Sequence, residues 1–496
     1  MNKFVKINPN DKVAVALTDL KAGESLQVDG VNVSIQEDIP QGHKFALADL
    51  AAGEAVIKYG FSIGNTKEAI PAGAHVHVHN LKTGLGDDLE YGYHPEESGA
   101  QEIAAPEKKT FMGYLRSDGR AGIRNDLWII PTVGCVNATA RTIEKRCTDL
   151  KTGSIDAIVA FNHPYGCSQM GDDQENYRKA ISALIKHPNA GGVLVLSLGC
   201  ENSNLDVLKK DYLGDYDEKR VRFLVCQESD DEIEDGVRIM RELAEGAKDL
   251  KREEISVDKL IVGLKCGGSD GFSGITANPV VGRFSDLLVA AGGSTILTEV
   301  PEMFGAETIL MNRCKDEEVF RKTVNLINGF KDYFRFHNQT IYENPSPGNK
   351  KGGISTLEDK ALGCTQKAGT STVMDVLDYT DPLTVKGLNL LKAPGNDLVA
   401  STALALSGAQ IVLFTTGRGT PFACAAPTVK IASNERLAAK KNNWIDFNAG
   451  RLLSGSSLEE LGQELYSFVL ETASGKNVKS ETLERDLAIW KQGVTL

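Results

Sequence analysis

The chain has 496 residues, of which 41% are hydrophobic and 25% are charged, and its formal net charge at pH 7 is −12. These proportions are those of a globular protein with about two to four domains, so a disordered or fibrous chain is excluded. The acidic balance argues against a broad nucleic-acid or anionic-membrane surface, since both require fields of lysine and arginine. A small anionic ligand is still compatible, because a few local basic groups suffice to hold one carboxylate.

The N-terminus and the cysteine content indicate the cellular compartment of the protein. The segment MNKFVKINPND lacks the apolar core of a signal peptide, and the most apolar stretches, 156–162 and 192–199, are far shorter than the roughly 20 residues of a membrane helix. The nine cysteines are odd in number and form no CxxC pair. We therefore expect a cytoplasmic protein with reduced thiols and with neither a membrane nor a nucleic-acid partner.

Residues 1–82 have the pattern of a small all-β domain. Short alternating runs are separated by glycine turns, and Asp29-Gly30 is typical of a two-residue hairpin turn. The predicted strands are VAVAL (13–17), ESLQV (24–28), VNVSI (31–35), KFALADL (44–50), AVIKYG (55–60) and HVHVH (75–79).

The pattern changes twice after this domain. Residues 83–110 are polar and acidic with few β-branched side chains, which predicts a linker. Beyond it, buried strand-like runs alternate with helical stretches, as in a parallel, doubly wound sheet. We predict a multidomain α/β protein, with one α/β domain over 111–250 and a Rossmann-like α/β catalytic domain over 251–496.

Loops rich in reactive residues follow five of the predicted buried strands directly. Ligands of open α/β sheets bind beyond the carboxyl ends of the strands, and glycines there let backbone N–H groups approach an anion. The pattern therefore predicts an active site at that sheet edge. The alternative, that these are ordinary turns, is strongest for Glu201-Asn202. The loops are NHPYGCSQ (162–169), GCEN (199–202), KCGGSDG (265–271), EVPEMFG (299–305) and TTGRGT (415–420).

Two glycine patterns are rejected. Gly267–Gly271 fits the elbow of serine hydrolases, but the histidine of such a triad must follow Ser269, and the sequence offers His337 alone there. Gly417-Arg-Gly419 lacks the third glycine of a dinucleotide fingerprint, and no phosphate-binding P-loop occurs. The sequence gives no case for NAD or ATP.

His75, His77 and His79 alternate with valines, so a strand would present all three on one face. Such histidines can grip a metal, or one can act as a base while another orients the substrate. A polar strand face in solvent explains the pattern equally well. His43 and His163 are weaker candidates.

Four cysteines lie in or near the reactive loops: Cys167, Cys200, Cys266 and Cys364. Buried cysteines that pack as small hydrophobes are the common case. A thiolate ligand for iron, or an iron–sulfur cluster held by three dispersed cysteines, is the alternative, and the spacing does not decide between them.

Long segments resemble the altronate dehydratase/galactarate dehydratase family. The resemblance covers essentially the whole chain, and the first 80 residues resemble the SAF, or β-clip, module of that family. The segments are GYLRSDGRAGIRNDLWIIPTVGCVN (113–137), NHPYGCSQ (162–169), GCEN (199–202), KCGGSDGFSGITANPVVGRFSD (265–286), TEVPEMFGAE (298–307), ENPSPGNKKGGISTLEDKALGCTQKA (343–368), APGND (393–397) and TTGRGTP (415–421).

The resemblance implies a metal-dependent dehydratase that uses Fe²⁺ or Mn²⁺, acts on a small sugar acid and forms a homodimer, with 111–250 as a possible dimerisation region. The length and the final GVTL fit the altronate branch, which implies conversion of D-altronate to 2-dehydro-3-deoxy-D-gluconate and water. Galactarate dehydratase and sulfolactate sulfo-lyase chemistry are the enzymatic alternatives. A non-catalytic scaffold that binds sugar acids is the alternative outside enzymes.

That reaction assigns roles to individual residues. A metal that chelates the carboxylate and a hydroxyl would acidify the neighbouring carbon, a base would take its proton, and cations or amides would hold the substrate. The predicted metal ligands are His75, Cys266, Glu299 and Glu302; the base candidates are His77, His79 and Lys367; the predicted substrate clamps are Asn278, Arg283, Asn349 and Arg418. A structural salt bridge explains Glu299 or Glu302 about as well, and a surface charge explains Lys367 equally well. The glycine- and proline-rich stretch 344–360 is expected to be a lid.

Overall fold

The computed structural model describes residues 2–86, 90–95 and 103–495. Three parts are distinguished by their strands and helices: an N-terminal region (residues 2–86), a middle region (103–256) and a C-terminal region (257–495). The N-terminal region is built from strands alone, while the other two alternate strands and helices. The predicted fold class, a small all-β unit followed by parallel-sheet α/β structure, is confirmed.

The N-terminal region is made of short antiparallel strands. One sheet has the order β1-β2-β5-β8, a second has the order β6-β7-β9, and β3 pairs with β4. The strands are β1 (Phe4–Val5), β2 (Val13–Ala16), β3 (Ser25–Val28), β4 (Val31–Ser34), β5 (Lys44–Ala46), β6 (Ala55–Lys58), β7 (Phe61–Thr66), β8 (His75–Val76) and β9 (Leu81–Lys82).

Two details of this region depart from the sequence pattern. The predicted strand HVHVH ends at Val76, because the side chain of Asn80 accepts a hydrogen bond from His77 N and donates one to His75 O, closing a turn. The three histidines therefore do not share a strand face. The turn at Asp29-Gly30 is confirmed, since both residues have positive φ as a two-residue hairpin turn requires.

The middle region contains a parallel sheet of order β13-β12-β14-β15 and an antiparallel sheet of order β11-β10-β16. Its strands are β10 (Thr110–Leu115), β11 (Ala121–Gly122), β12 (Asp126–Pro131), β13 (Ile158–Ala160), β14 (Ala190–Ser197), β15 (Val221–Val225) and β16 (Glu253–Ser256). Its helices are α1 (Asn137–Arg146), α2 (Gly171–Ile185), α3 (Leu205–Leu208) and α4 (Glu232–Ala247).

In the described part of the C-terminal region, seven parallel strands form one sheet of order β19-β20-β18-β17-β21-β22-β23. The runs LIVGL and QIVLF form adjacent strands that are almost fully buried, as parallel strands covered by helices on both faces require. The strands are β17 (Ile261–Cys266), β18 (Ser294–Leu297), β19 (Val373–Leu377), β20 (Leu388–Leu391), β21 (Ile411–Thr416), β22 (Thr428–Ala432) and β23 (Phe447–Asn448).

The helices of the C-terminal region cover this sheet. They are α5 (Ala277–Ala290), α6 (Glu307–Met311), α7 (Glu317–Phe336), α8 (Pro347–Lys351), α9 (Leu357–Thr365), α10 (Asp397–Leu406), α11 (Glu435–Lys440) and α12 (Leu458–Ala473). The stretch expected to be a lid carries α8 and the start of α9 instead, and Asn349, Thr356 and Asp359 within it are buried. Among the described residues, no helix is both long and apolar enough to span a membrane.

The predicted linker lies partly on the C-terminal region. The hydroxyl of Tyr93 donates to Cys314 O at 3.0 Å, and the Tyr91 hydroxyl bonds to Glu307. Residues 87–89 and 96–102 of that linker lie outside the described residues.

The order in which the chain adds strands to the C-terminal sheet reverses at β17. The chain passes from β17 to β18 on one side, and later returns to β21 on the other side of β17. The loops after β17 and β21 therefore splay apart at the carboxyl edge of the sheet, which is where ligands bind in open α/β folds.

Candidate active site

A cleft of about 410 Å³ opens at this reversal point, between the N-terminal region and the C-terminal sheet. Gln41 and Gly42 line it from the N-terminal region, opposite the loops that follow β17 and β21. The fit between the two regions is close, because a Cβ at Gly271 would lie 2.0 Å from the Gly42 carbonyl oxygen. The remaining lining includes Asp270, Phe272, Lys351, Gly352, Gly417, Arg418, Asn434, Arg436, Leu437 and Lys440.

Three histidines of the N-terminal region lie next to this cleft. His43 directly follows two cleft residues, and the pairing of β5 with β8 brings His75 beside it. His43 Nδ1 lies 3.0 Å from His75 Nε2, and the His75 and His77 rings stack with centroids 5.3 Å apart. One nitrogen from each of the three rings lies within 4.8 Å of the others. We call His43, His75 and His77 the histidine trio.

Backbone contacts orient the rings of the trio. The carbonyl of Lys351, a cleft residue, lies 3.2 Å from His43 Nε2, so this nitrogen donates and leaves the Nδ1 lone pair directed at the other two rings. His77 Nδ1 is buried and has no hydrogen-bond partner. A buried ring nitrogen without a partner is uncommon, because its desolvation is not compensated.

Burial keeps the trio uncharged. It lowers the pKa of all three rings, to about 3 for His75 and to about 4 for His77. The charge of Lys44 adds to each shift, and the neighbouring rings add to the shifts of His75 and His77. Neutral imidazole is the form that ligates a metal. The donor set, the free His77 nitrogen and the carbonyl behind His43 thus fit a divalent transition metal such as Fe²⁺.

A second group of reactive side chains lies buried at the carboxyl ends of β17 and β18. Lys265 Nζ bonds to the Glu299 carboxylate and, at 2.9 Å, to Asp397 Oδ1, while Cys266 N donates to Glu299 Oε2 at 2.9 Å. Glu299 has φ +70° and ψ +58°, a left-handed conformation that is strained for a residue with a side chain. Such strain persists only where the surrounding contacts fix the residue.

The thiol of Cys266 is at the centre of this group. It lies 2.9 Å from Glu302 Oε2, 2.9 Å from Lys367 Nζ and 3.4 Å from Cys364 Sγ. Lys360 Nζ contacts the other oxygen of Glu302 at 2.6 Å. We call these residues, with Lys265 and Glu299, the buried charge cluster.

The charges in the cluster compensate one another. Burial acts to raise the pKa of Glu302, but the ammonium groups of Lys360 and Lys367 hold it well below its usual range. Burial, together with the Glu302 charge, raises the pKa of Glu299. Although burial opposes the charge on Lys367, the nearby Cys266 raises its pKa well above the usual lysine range. Lys367 is therefore held as an ammonium.

The cluster fits a metal less well than the trio does. Cys266, Glu302 and Cys364 bring their ligand atoms within 4.8 Å of one another, but Lys360 and Lys367 already occupy this group. Both oxygens of Glu299 are also in use, by Lys265 and by the Cys266 amide. The predicted ligand set His75, Cys266, Glu299 and Glu302 is thus divided between two places, and only His75 belongs to the trio.

A buried ion cluster fixes the N-terminal region against α9. Asp359 accepts bonds from Lys44 Nζ and Lys58 Nζ, both at 2.9 Å, and none of the three side chains is more than 3% exposed. Although burial alone would raise it, the two ammonium groups hold the pKa of Asp359 well below its usual range. Lys44 directly follows His43, so this contact also positions the trio.

Of the four predicted substrate clamps, one lines the cleft and three do not. Arg418 lines the cleft, whereas Arg283 forms an ion pair with Glu459 on α12, on the side of α5 that faces this helix. Asn278 bonds to Gly363 O and Thr415 Oγ1, and Asn349 caps α8 and donates to Ser269 O. These three side chains have structural partners and are not among the residues that line the cleft.

The other two predicted bases, His79 and Lys367, lie in different places. His79 is exposed, with its ring centroid 5.5 Å from that of His75, while Lys367 belongs to the buried charge cluster. His43 was only a weak candidate in the sequence, because its turn, PQGHK, has no catalytic pattern. Arg436 was not a candidate, because the sequence pattern did not single out the helix that carries it. Only the pairing of distant segments brings them to the cleft.

The fold and the site together define an α/β enzyme whose cleft lies at the carboxyl edge of a parallel sheet and is closed by a histidine-bearing β domain. Family profiles match the chain in three consecutive parts: the altronate/galactarate dehydratase SAF domain over 2–84, the D-galactarate dehydratase/altronate hydrolase second domain over 113–248, and the D-galactarate/altronate dehydratase C-terminal part over 257–495. The chain belongs to the D-galactarate/altronate dehydratase family.

Curated relatives agree with this assignment along the full length. The chain is 54% identical to an altronate dehydratase of Bacillus subtilis (strain 168) and 52% identical to one of Escherichia coli (strain K12), in both cases over 100% of each chain. It is 35% identical to the galactarate dehydratase (L-threo-forming) of Escherichia coli (strain K12), over 95% of this chain and 93% of that protein. The resemblance read from the sequence motifs is confirmed.

Proposed function

We propose that this protein is a hydro-lyase that converts D-altronate to 2-dehydro-3-deoxy-D-gluconate and water. The observation that carries the proposal is the neutral histidine trio beside a cleft with several basic residues, at the reversal point of the parallel sheet. The substrate is supported by the two full-length relatives named altronate dehydratase, which are far more similar to this chain than the galactarate dehydratase is.

We propose Fe²⁺, or alternatively Mn²⁺, as the cofactor, held by His43, His75 and His77. A divalent ion bound there would supply Lewis acidity next to the substrate carboxylate, lowering the pKa of the neighbouring C–H. The support is the geometry of the trio and the partnerless nitrogen of His77. The three imidazoles would hold the ion beside the cleft in which the hydroxy acid would bind.

The cleft residues would bind and orient the sugar acid. Arg418 would pair with the carboxylate, while Arg436 and Lys440 would contact the hydroxyl-bearing chain. His79 would accept the proton from C2, since imidazole is the commonest general base. The C3–O bond would then break while the hydroxyl takes up the proton held by His79 and leaves as water, and the resulting enol would tautomerise to the 2-oxo acid.

The buried charge cluster would act by positioning. Lys367 was a candidate base, but its raised pKa favours the ammonium form, which cannot accept a proton. We assign it the role of holding Cys266 and the two glutamates in place behind the cleft. A lysine with this role can be replaced by another cation more easily than by a neutral side chain.

The proposal also includes the cellular location and the oligomeric state. We propose a cytoplasmic enzyme, in accord with the cysteines, which are all free thiols. We also propose a homodimer that uses residues 111–250 as its dimerisation region, as the family resemblance implies. Light scattering of the purified protein would give twice the mass of the 53.5 kDa chain, and a mass of one chain would contradict the dimer.

Steady-state kinetics on a panel of acids tests the proposed function. With Fe²⁺ and a thiol reductant, kcat/KM should be highest for D-altronate, lower for galactarate and lowest for (2R)-sulfolactate. A higher kcat/KM for galactarate would replace the substrate assignment but not the dehydration. The absence of turnover on every acid would favour the sugar-acid-binding scaffold.

A further inference from the structure

Three exposed cysteines follow three adjacent strands of the parallel sheet in the middle region. Cys167 follows β13, Cys135 follows β12 and Cys200 follows β14, and these strands are neighbours in the order β13-β12-β14. All three thiols are therefore carried to the same carboxyl edge of one sheet. Each cysteine is preceded by a glycine.

The loops that carry these cysteines pack directly against one another. Gly134 N donates to Tyr165 O at 2.9 Å, which joins the Cys135 loop to the Cys167 loop. A Cβ at Gly166 would lie 2.0 Å from Thr132 O, so glycine is needed for this approach.

The third loop is tied to the other two by one buried carboxylate. Glu201 accepts bonds from Thr132 Oγ1 and, at 2.7 Å, from Gly199 N, which fixes the Cys200 loop beside the end of β12. Cys167 Sγ also lies 4.0 Å from Asn202 Oδ1 in that loop. The three loops that carry these thiols therefore meet at one place on the carboxyl edge of the sheet.

Their exposure separates them from the other cysteines. Free cysteine is among the most buried residue types, and Cys147, Cys266, Cys314, Cys364 and Cys424 are all buried as this rule expects. Cys226, at the end of β15 on the same sheet edge, is half-buried and packs against the hydrophobic core of the middle region. Packing accounts for these six thiols but not for the exposed three.

The chemistry of the group points to a soft ligand. Thiolates select iron–sulfur clusters and soft ions, and Glu201, the carboxylate that bridges the loops, is already fully engaged. Among the described residues, the groups whose ligand atoms lie within 4.8 Å of one another are the histidine trio and Cys266–Glu302–Cys364. The exposed thiols are therefore too far apart to bind one metal ion together. A cubane cluster accepts wider spacing, because each thiolate binds a different iron atom of the cluster.

We infer that Cys135, Cys167 and Cys200 bind a cubane iron–sulfur cluster, with the fourth iron facing solvent. Polar groups that tune such clusters are present at the sulfurs, because Gln227 Nε2 lies 3.4 Å from Cys200 Sγ and Ser168 Oγ lies 3.7 Å from Cys167 Sγ. The site is separate from the histidine trio and independent of the proposed reaction.

Iron and acid-labile sulfide analysis tests this inference. Full-length protein purified anaerobically, and the same protein reconstituted with iron salt, sulfide and a thiol reductant, should hold about four sulfides per chain and about five irons, four in the cluster and one at the histidine trio. A broad absorption band in the visible region and an electron paramagnetic resonance signal after reduction should accompany them. Wild-type protein without labile sulfide after reconstitution would overturn the inference, as would one iron or zinc per chain bound without sulfide.

Matched variants locate the cluster. The triple variant Cys135→Ser, Cys167→Ser, Cys200→Ser should lose nearly all labile sulfide, whereas Cys226→Ala on the same sheet edge should retain it. His77→Ala should also retain the sulfide, which separates this iron from the proposed catalytic metal. Circular dichroism confirms that each variant folds, and each single serine variant provides the same test if the triple variant does not. Equal sulfide in wild type and in a folded triple variant, or its loss in Cys226→Ala, would contradict a three-cysteine site.

Discussion

Replacing Asp359 with asparagine tests how the N-terminal region is held in place. The substitution keeps the shape of the side chain but removes the charge that pairs with Lys44 and Lys58, both at 2.9 Å and both buried. Two ammonium groups would then share a dry interface without a counter-ion. Removing one partner of a buried ion cluster destabilises a protein by about 3–5 kcal/mol, because the remaining charge has lost its compensation.

Loss of a proton from Lys44 is one way for the variant to adapt, but it does not restore the lost charge pairing of Lys58. The variant can relieve the interface by releasing a proton from Lys44, whose pKa burial has already lowered to about 8. At pH 7 this release costs about 1.4 kcal/mol, since the pKa lies about one unit above the pH and each unit is worth 1.36 kcal/mol. We therefore expect Asp359→Asn to lower the free energy of unfolding by about 3–5 kcal/mol.

Urea denaturation followed by circular dichroism, with limited proteolysis under native conditions, measures this loss. The transition that includes the N-terminal region should shift to lower urea, and cleavage near residues 87–110 should become faster. The matched control is Asp38→Asn, which makes the same chemical change in an exposed pair with Lys21 and should have a far smaller effect. An Asp359→Asn variant within about 1 kcal/mol of wild type would refute the reasoning, since an uncompensated buried charge cannot cost so little.

Four further outcomes are expected. Exhaustive chelation should abolish turnover on D-altronate, and Fe²⁺ or Mn²⁺ under reducing conditions should restore it; full activity in demetallated protein would contradict a metal enzyme. His77→Ala should weaken Fe²⁺ binding by at least about tenfold in anaerobic titrations, while the exposed His337→Ala should leave it unchanged. Lys367→Met should lower kcat by on the order of 10²-fold, and Lys367→Arg should recover much of this loss because it retains the charge; equal losses would instead indicate a general base. Arg418→Met should raise KM for D-altronate more than tenfold by removing the carboxylate partner, whereas Arg283→Met on the α12 face should not change it.

Local patterns predicted much of the fold. Alternating runs in the N-terminal region and buried runs such as 127–133, 192–198 and 410–414 correspond to strands, and the helical spacing of 317–334 corresponds to α7. The strand Phe61–Thr66 was missed, because Gly64 and the polar residues around it weaken the alternation. The strands over 373–377, 388–391 and 428–432 were missed as well, since their identity depends on neighbours far away in the chain.

The candidate site could be predicted less completely. The loops after β17 and β21 and the importance of His75 and His77 follow from the sequence, because these residues stand out in their segments. The role of His43 depends on its pairing with a strand about 30 residues away, and that of Asp359 on lysines about 300 residues away. No periodicity encodes such contacts. The order of the stretch 344–360, which was expected to be a lid, was not predictable for the same reason, since contacts with the N-terminal region hold a segment whose composition alone suggests mobility.

The most direct test of the central claim is the rate at which the iron-loaded protein forms 2-dehydro-3-deoxy-D-gluconate from D-altronate, measured side by side in wild type, His75→Ala, His77→Ala and His337→Ala. Wild type and His337→Ala should turn over at equal rates, and each of the two trio variants should lose at least about 10²-fold in kcat/KM while remaining folded. Wild-type protein that forms no product, or trio variants that form it at the wild-type rate, would contradict metal-dependent dehydration at the histidine trio.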